Sequence, residues 1–139
     1  MECLRGMGSS PGTRRAARVV NFADGRSGSV GESRSRVLLQ RLGLPAPDLQ
    51  VKVFRADGSS IGRCDFGWEA HRTVGEFDGR IKYGRLLRPG QSAGDAVYEE
   101  KLREDDIRDP GRQVARWTWG DLDRPRVVGD RVLRAFARA

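Results

Sequence analysis

Residues 63–82 read Arg-Cys-Asp-Phe-Gly-Trp-Glu-Ala-His-Arg-Thr-Val-Gly-Glu-Phe-Asp-Gly-Arg-Ile-Lys, and the way this stretch doubles back sets the fold. Ile61 to Trp68 reads as a strand, Glu69-Ala70-His71-Arg72 as a turn, and Thr73 to Asp78 as the next strand. Asp65 then lies on one strand of a hairpin, and Glu76 and Asp78 on the other. Side chains at i and i+2 of a strand leave the same face about 6.7 Å apart, so Glu76 and Asp78 are spaced to converge with Asp65 on one cation. Hard oxygen ligands of this kind suit Mg²⁺ or Mn²⁺, which take a few carboxylates and keep positions open for phosphate.

Upstream of the hairpin, Leu49, Val51 and Val53 alternate as a half-buried strand, Leu49 to Phe54, and Asp57-Gly58 turns it into Ile61 to Trp68. Ser29 and Glu32 have the spacing of a helix capping box, and the helix they open runs to about Leu42, where Gly43 closes it. Thr13 to Ala23 is a short helix after Pro11-Gly12, and Asp24 to Gly31 is a Gly/Ser-rich linker. Downstream, Gly79 to Gly94 reads as a long loop, Asp95 to Asp109 as a charged helix stopped by Pro110-Gly111, and Gln113 to Trp119 as a fourth strand. Pro125 opens a last helix with Val128, Val132, Leu133 and Phe136 on one side. The expected order is a short helix followed by αβββαβα: an α/β (α+β) domain with a central mixed sheet flanked by helices. Residues 1–27 form a partial N-terminal helical segment and linker, and 28–139 the folded domain. Leu38, Leu42, Val51, Val53, Phe66, Val74, Phe77, Val114, Trp117 and Phe136 are the expected core.

With 139 residues the chain suits one hydrophobic core. Its net charge of +7 and isoelectric point near 10.4 attract nucleic acid, or an anionic membrane surface, without regard to sequence, and the charge alone does not choose between them. All of the 26 basic residues except Lys52, Lys82 and Lys101 are arginines. Cys3 and Cys64 do not make a disulfide framework or a zinc site, so a reducing cytoplasm is the expected location. No window approaches the ~20 apolar residues of a membrane span, and no membrane partner is expected.

This order, with acids at Glu32, Asp65, Glu76 and Asp78, resembles the restriction-endonuclease-like PD-(D/E)-x-K nuclease superfamily. More closely, it is similar to the domain of unknown function related to the very-short-patch-repair DNA endonucleases. The resemblance rests on Gly31-Glu32-Ser33-Arg34-Ser35-Arg36, Gly43-Leu44-Pro45-Ala46-Pro47-Asp48-Leu49-Gln50, Cys64-Asp65-Phe66, Val74-Gly75-Glu76-Phe77-Asp78-Gly79, Glu100-Lys101-Leu102-Arg103-Glu104-Asp105 and Val114-Ala115-Arg116-Trp117-Thr118-Trp119. It implies Asp65, Glu76 and Asp78 as ligands of Mg²⁺ or Mn²⁺, with Glu32 approaching from the first helix of the domain. It implies a divalent-metal-dependent nuclease acting on nucleic acid, DNA foremost. Where the superfamily's acid-x-lysine element has its lysine this chain has Asp78, which leaves Lys82 or Lys101 to neutralise charge on the phosphate. Many relatives carry a histidine shortly after the Asp-Gly step, where this chain has Arg80-Ile81-Lys82-Tyr83. Arg34, Arg36 and Arg85 are the expected backbone contacts.

Each of these residues also has an ordinary structural reading. Glu32 serves the capping box, Asp78-Gly79 is a turn signal, His71 is a surface residue in a turn, and Trp117 and Trp119 share a strand face in the core. The rival functional class is a noncatalytic DNA-binding or regulatory module. In the resembled family the domain often follows a winged helix in abortive-infection-type antitoxins or transcriptional regulators.

Overall fold

The computed structural model describes residues 11–79 and 88–139. Helices α1 (Thr13–Phe22) and α2 (Val30–Arg41) precede strands β1 (Asp48–Phe54), β2 (Ser60–Trp68) and β3 (Thr73–Asp78), with one 3₁₀ turn (Glu69–His71) between the last two. Helix α3 (Ala93–Arg108) leads to β4 (Gln113–Thr118), a short α4 (Trp119–Leu122) and α5 (Pro125–Arg138). The four strands lie in the order β1-β2-β3-β4, the first three antiparallel and β3–β4 parallel. This is the expected mixed sheet flanked by helices. Among the described residues no helix is long and apolar enough to cross a membrane.

Local chemistry explains the element ends. Ser29 Oγ accepts from Glu32 N at 3.1 Å and starts α2, while the Glu32 carboxylate accepts from Gly28 N at 2.7 Å, one residue before the position a capping box would use. Helix α3 starts two residues earlier than its charge pattern indicates, because Ser92 and Asp95 form a reciprocal capping box. Strand β4 stops at Thr118 and not at Trp119, since Asp121 Oδ2 accepts from both Thr118 N (3.0 Å) and Thr118 Oγ1 (3.1 Å) and winds the chain into α4. Trp119 therefore leaves the face it was expected to share with Trp117 and packs edge-on against Phe77, with ring centroids 5.0 Å apart.

The two faces of the sheet carry separate cores. Phe66, Trp68, Ala115 and Trp117 pack with Leu38 and Leu39 of α2 and Val128, Val132 and Ala135 of α5. On the other face Val53, Cys64 and Val74 pack on Ile107 of α3. Leu49 and Phe66 belong to the first cluster, yet Val51 and Cys64, two residues along each strand, belong to the second. The swap occurs at Gln50, whose φ of +53° interrupts the ladder between the Leu49↔Phe66 and Val51↔Cys64 pairs. Leu133, read as lying on one side of this helix with Val128, Val132 and Phe136, is 53% exposed because α5 turns Val128, Val132 and Ala135 inward. No residue of α1 is buried.

Candidate functional site at the divergence of β2 and β3

The last pair of the β2–β3 ladder is Phe66↔Gly75. Beyond it the Asp65 side chain replaces a backbone acceptor, with Oδ2 accepting from Phe77 N at 2.8 Å. Asp65, Glu76 and Asp78 line one cavity of about 340 Å³ with Glu100, Arg103 and Arg116. The three acids of the hairpin thus share one crevice. Glu32, on α2, does not line this cavity; its Oε2 accepts from Gln50 Nε2 at 2.9 Å. The φ break at Gln50 is what aims this amide between α2 and the sheet.

Asp65 is pushed up to about 6, first by burial and then by the neighbouring charges of Glu32 and Glu76, while the bonds from Phe77 N and Gln50 pull the other way. Glu76 moves in the opposite direction. Burial would raise it, but Arg103 and Arg116 outweigh burial and hold it below the ordinary glutamate range. Arg103 meets Glu76 Oε1 at 2.7 Å and Arg116 meets Oε2 at 2.7 Å. Arg116 also pairs with Glu100 at 2.7 Å and with Glu104 at 3.5 Å. Cys64 lies beside this network, its thiol pushed up to about 12 by burial and by the Glu76 charge.

Both oxygens of Glu76 are therefore engaged by guanidinium groups, and one oxygen of Asp65 by a backbone N–H. Among the described residues no group of three or more His, Cys, Asp or Glu side chains is arranged to hold a metal ion. A divalent cation beside Glu76 would also face two positive charges already bonded to it. In this arrangement the residues do not fit a resident metal.

The other expected site residues fall elsewhere. Lys101 is exposed on α3 and does not line the cavity, whereas Arg103, two residues further along, does. Arg36 donates to Phe22 O at 2.8 Å with its guanidinium 4.3 Å from the Phe22 ring, so it ties α1 to α2. Arg34 is exposed, paired with Asp123 at 3.3 Å and set over the Trp119 ring at 5.8 Å. Lys82 and Arg85 lie outside the described residues. His71 stacks on Phe136 with ring centroids 3.9 Å apart, away from the acids. Sequence reasoning missed Gln50, Arg103 and Arg116 as site residues. Arg103 stands three residues after Glu100 on one helix, a spacing that was available as a signal. Arg116 is opposite Glu76 only through the parallel β3–β4 register, which no local pattern encodes.

The chain is 34% identical over 125 residues to each of two uncharacterized Mycobacterium tuberculosis proteins, one from strain CDC 1551 / Oshkosh and one from strain H37Rv. Each alignment covers 82% of this chain and 44% of the relative, so the chain spans less than half the length of the curated relatives it matches. No family model and no solved structure matches it.

Proposed function

We propose that the protein is a nucleic-acid-binding module built on a restriction-endonuclease-like scaffold, with its acid cluster held shut by arginines. The observation that carries this reading is the double engagement of Glu76 by Arg103 and Arg116, which occupies the carboxylate a metal nuclease would need. The net charge of +7 supplies the attraction for a polyanion. Binding of this kind neutralises phosphates and carries little sequence preference. The test is DNA and RNA binding over a range of salt, run in parallel with Mn²⁺ and with chelator. The expected result is salt-steep binding, equal in both conditions, with the substrate intact. Cleavage in Mn²⁺ that chelator abolishes would overturn the noncatalytic reading.

A second reading, a divalent-metal-dependent phosphodiesterase, is favoured by one observation: Asp65, Glu76 and Asp78 line one cavity. On that reading Asp65, Glu76 and Asp78 are the ligands, and Arg103 and Arg116 must leave Glu76 first. Mn²⁺ would then raise the melting temperature of the wild type and not of Asp78→Asn, by the linkage that stabilises any folded state binding a ligand. Equal responses exclude Asp78 as a ligand.

A further inference from the structure

We propose that the cleft between the end of α3, β4 and α5 seats the phosphate backbone of nucleic acid through Arg134 and Arg138. The cleft has a volume of about 160 Å³ and is lined by Arg108, Arg116, Arg131, Arg134 and Arg138. It lies apart from the acid cavity, with Arg116 the one residue common to both linings. The proposal rests on the nucleic-acid reading above and assigns it a surface.

The five guanidiniums differ in how far their charge is already spent. Arg108 is bonded to Glu104 at 2.8 Å, and Arg116 to Glu76, Glu100 and Glu104. Arg131 is fixed by Asp121 at 2.7 Å and by the Arg116 carbonyl at 2.9 Å. The charges of these three are already paired. Arg134 and Arg138 are exposed and make no ion pair or side-chain hydrogen bond among the described residues. Neither charge is tied up in a direct ion pair, and the acid next to them along the helix is Asp130, one turn before Arg134.

The spacing favours a polymer over a single ion. Arg134 and Arg138 are one turn apart on the same face of α5, with a rise of about 6 Å between them. That is of the order of the step from one phosphate to the next along a strand. Guanidinium groups suit this ligand because they present paired N–H donors to phosphate oxygens. Contacts of this kind to phosphate contribute position and not sequence reading.

The experiment measures affinity of the full chain for a labelled duplex of about 20 base pairs as a function of salt, where each neutralised phosphate contributes about 0.9 to the logarithmic slope. Arg134→Ala/Arg138→Ala should lower the slope by about 2 and weaken binding at low salt by at least about tenfold, while Arg134→Lys/Arg138→Lys restores the slope. Arg41→Ala/Arg63→Ala removes equal charge elsewhere and should change the slope little. Both residues of the first pair are exposed near the end of a helix, so the melting temperature should hold, and it is measured for every variant. If the wild type binds and the two alanine pairs behave alike, the cleft is not the contact surface, although nucleic-acid binding stands. If inorganic phosphate displaces the duplex well beyond its ionic-strength effect, the cleft is a free-anion site and the proposal falls. If the wild type binds no nucleic acid, the functional reading falls and the proposal with it.

Discussion

At the residue scale, Asp65 and Glu76 respond to pH with opposite sign although they share one cavity. Asp65 is raised from 3.8 to about 6 in the folded protein, so between these values the unfolded chain loses a proton that the folded chain keeps. Stability contributed there falls as pH rises. Asp65→Asn keeps an oxygen to accept from Phe77 N and removes the buried charge. It should stabilise the protein by roughly 1 kcal/mol at pH 7, a figure discounted for partial exposure, with no gain at pH 4. Urea denaturation at the two pH values checks this, and equal effects at both would show that burial of charge is not the cost. Glu76 is lowered, so its contribution is complete above the ordinary glutamate value and is lost as pH falls through the lowered one. Glu76→Gln leaves Arg103 and Arg116 short of a counter-charge around a side chain that is only 13% exposed, and should cost about 2 kcal/mol at pH 7 by the same denaturation measurement. The Cys64 thiol, buried and pushed up to about 12, should resist iodoacetamide in the native state and react on unfolding, as peptide mapping would show.

At the scale of elements, α2 owes its seat to a missing side chain. A Cβ at Gly31 would fall 2.0 Å from the Phe77 ring, and one at Gly75 would fall 2.8 Å from the Trp117 ring. Gly31→Ala should therefore push α2 off β3 and cost about 1–3 kcal/mol, measured as a drop in the denaturation midpoint. An unchanged midpoint would mean that Phe77 has room to swing aside. This close approach also shows what the sequence made legible. Ser29, Gly43, Asp57-Gly58, Pro110-Gly111 and Pro125 signalled helix and turn ends through local chemistry, and the strand and helix order follows from them. The exchange of faces at Gln50 and the early end of β4 were not legible. The first needs a left-handed backbone in a residue other than glycine, and the second needs the Asp121 carboxylate to outcompete a strand pattern that continues to Trp119. At the site, the shared crevice of Asp65, Glu76 and Asp78 follows from hairpin geometry alone. The clamp on Glu76 does not, because Arg103 and Arg116 reach it from a helix and a strand far along the chain.

At the scale of the whole molecule, β1, β2 and β3 pair with their chain neighbours, whereas β4 joins β3 only after a crossover through residues 79–112. That connectivity sets an order in time. Pairings between adjacent strands close short loops and form early, while the parallel pair must wait until a long segment has lost its freedom. Val53→Ala, in the β1–β2 hairpin, should slow refolding, whereas Val114→Ala, on β4, should chiefly speed unfolding, and stopped-flow rates over a denaturant series would separate the two. Equal partition of both effects would contradict the order. Because Arg103 rides on α3 and Arg116 on β4, both beyond the β1–β2–β3 meander, Glu76 spends the early part of folding without its clamp, and the acid crevice reaches its native charge balance only once the crossover has docked.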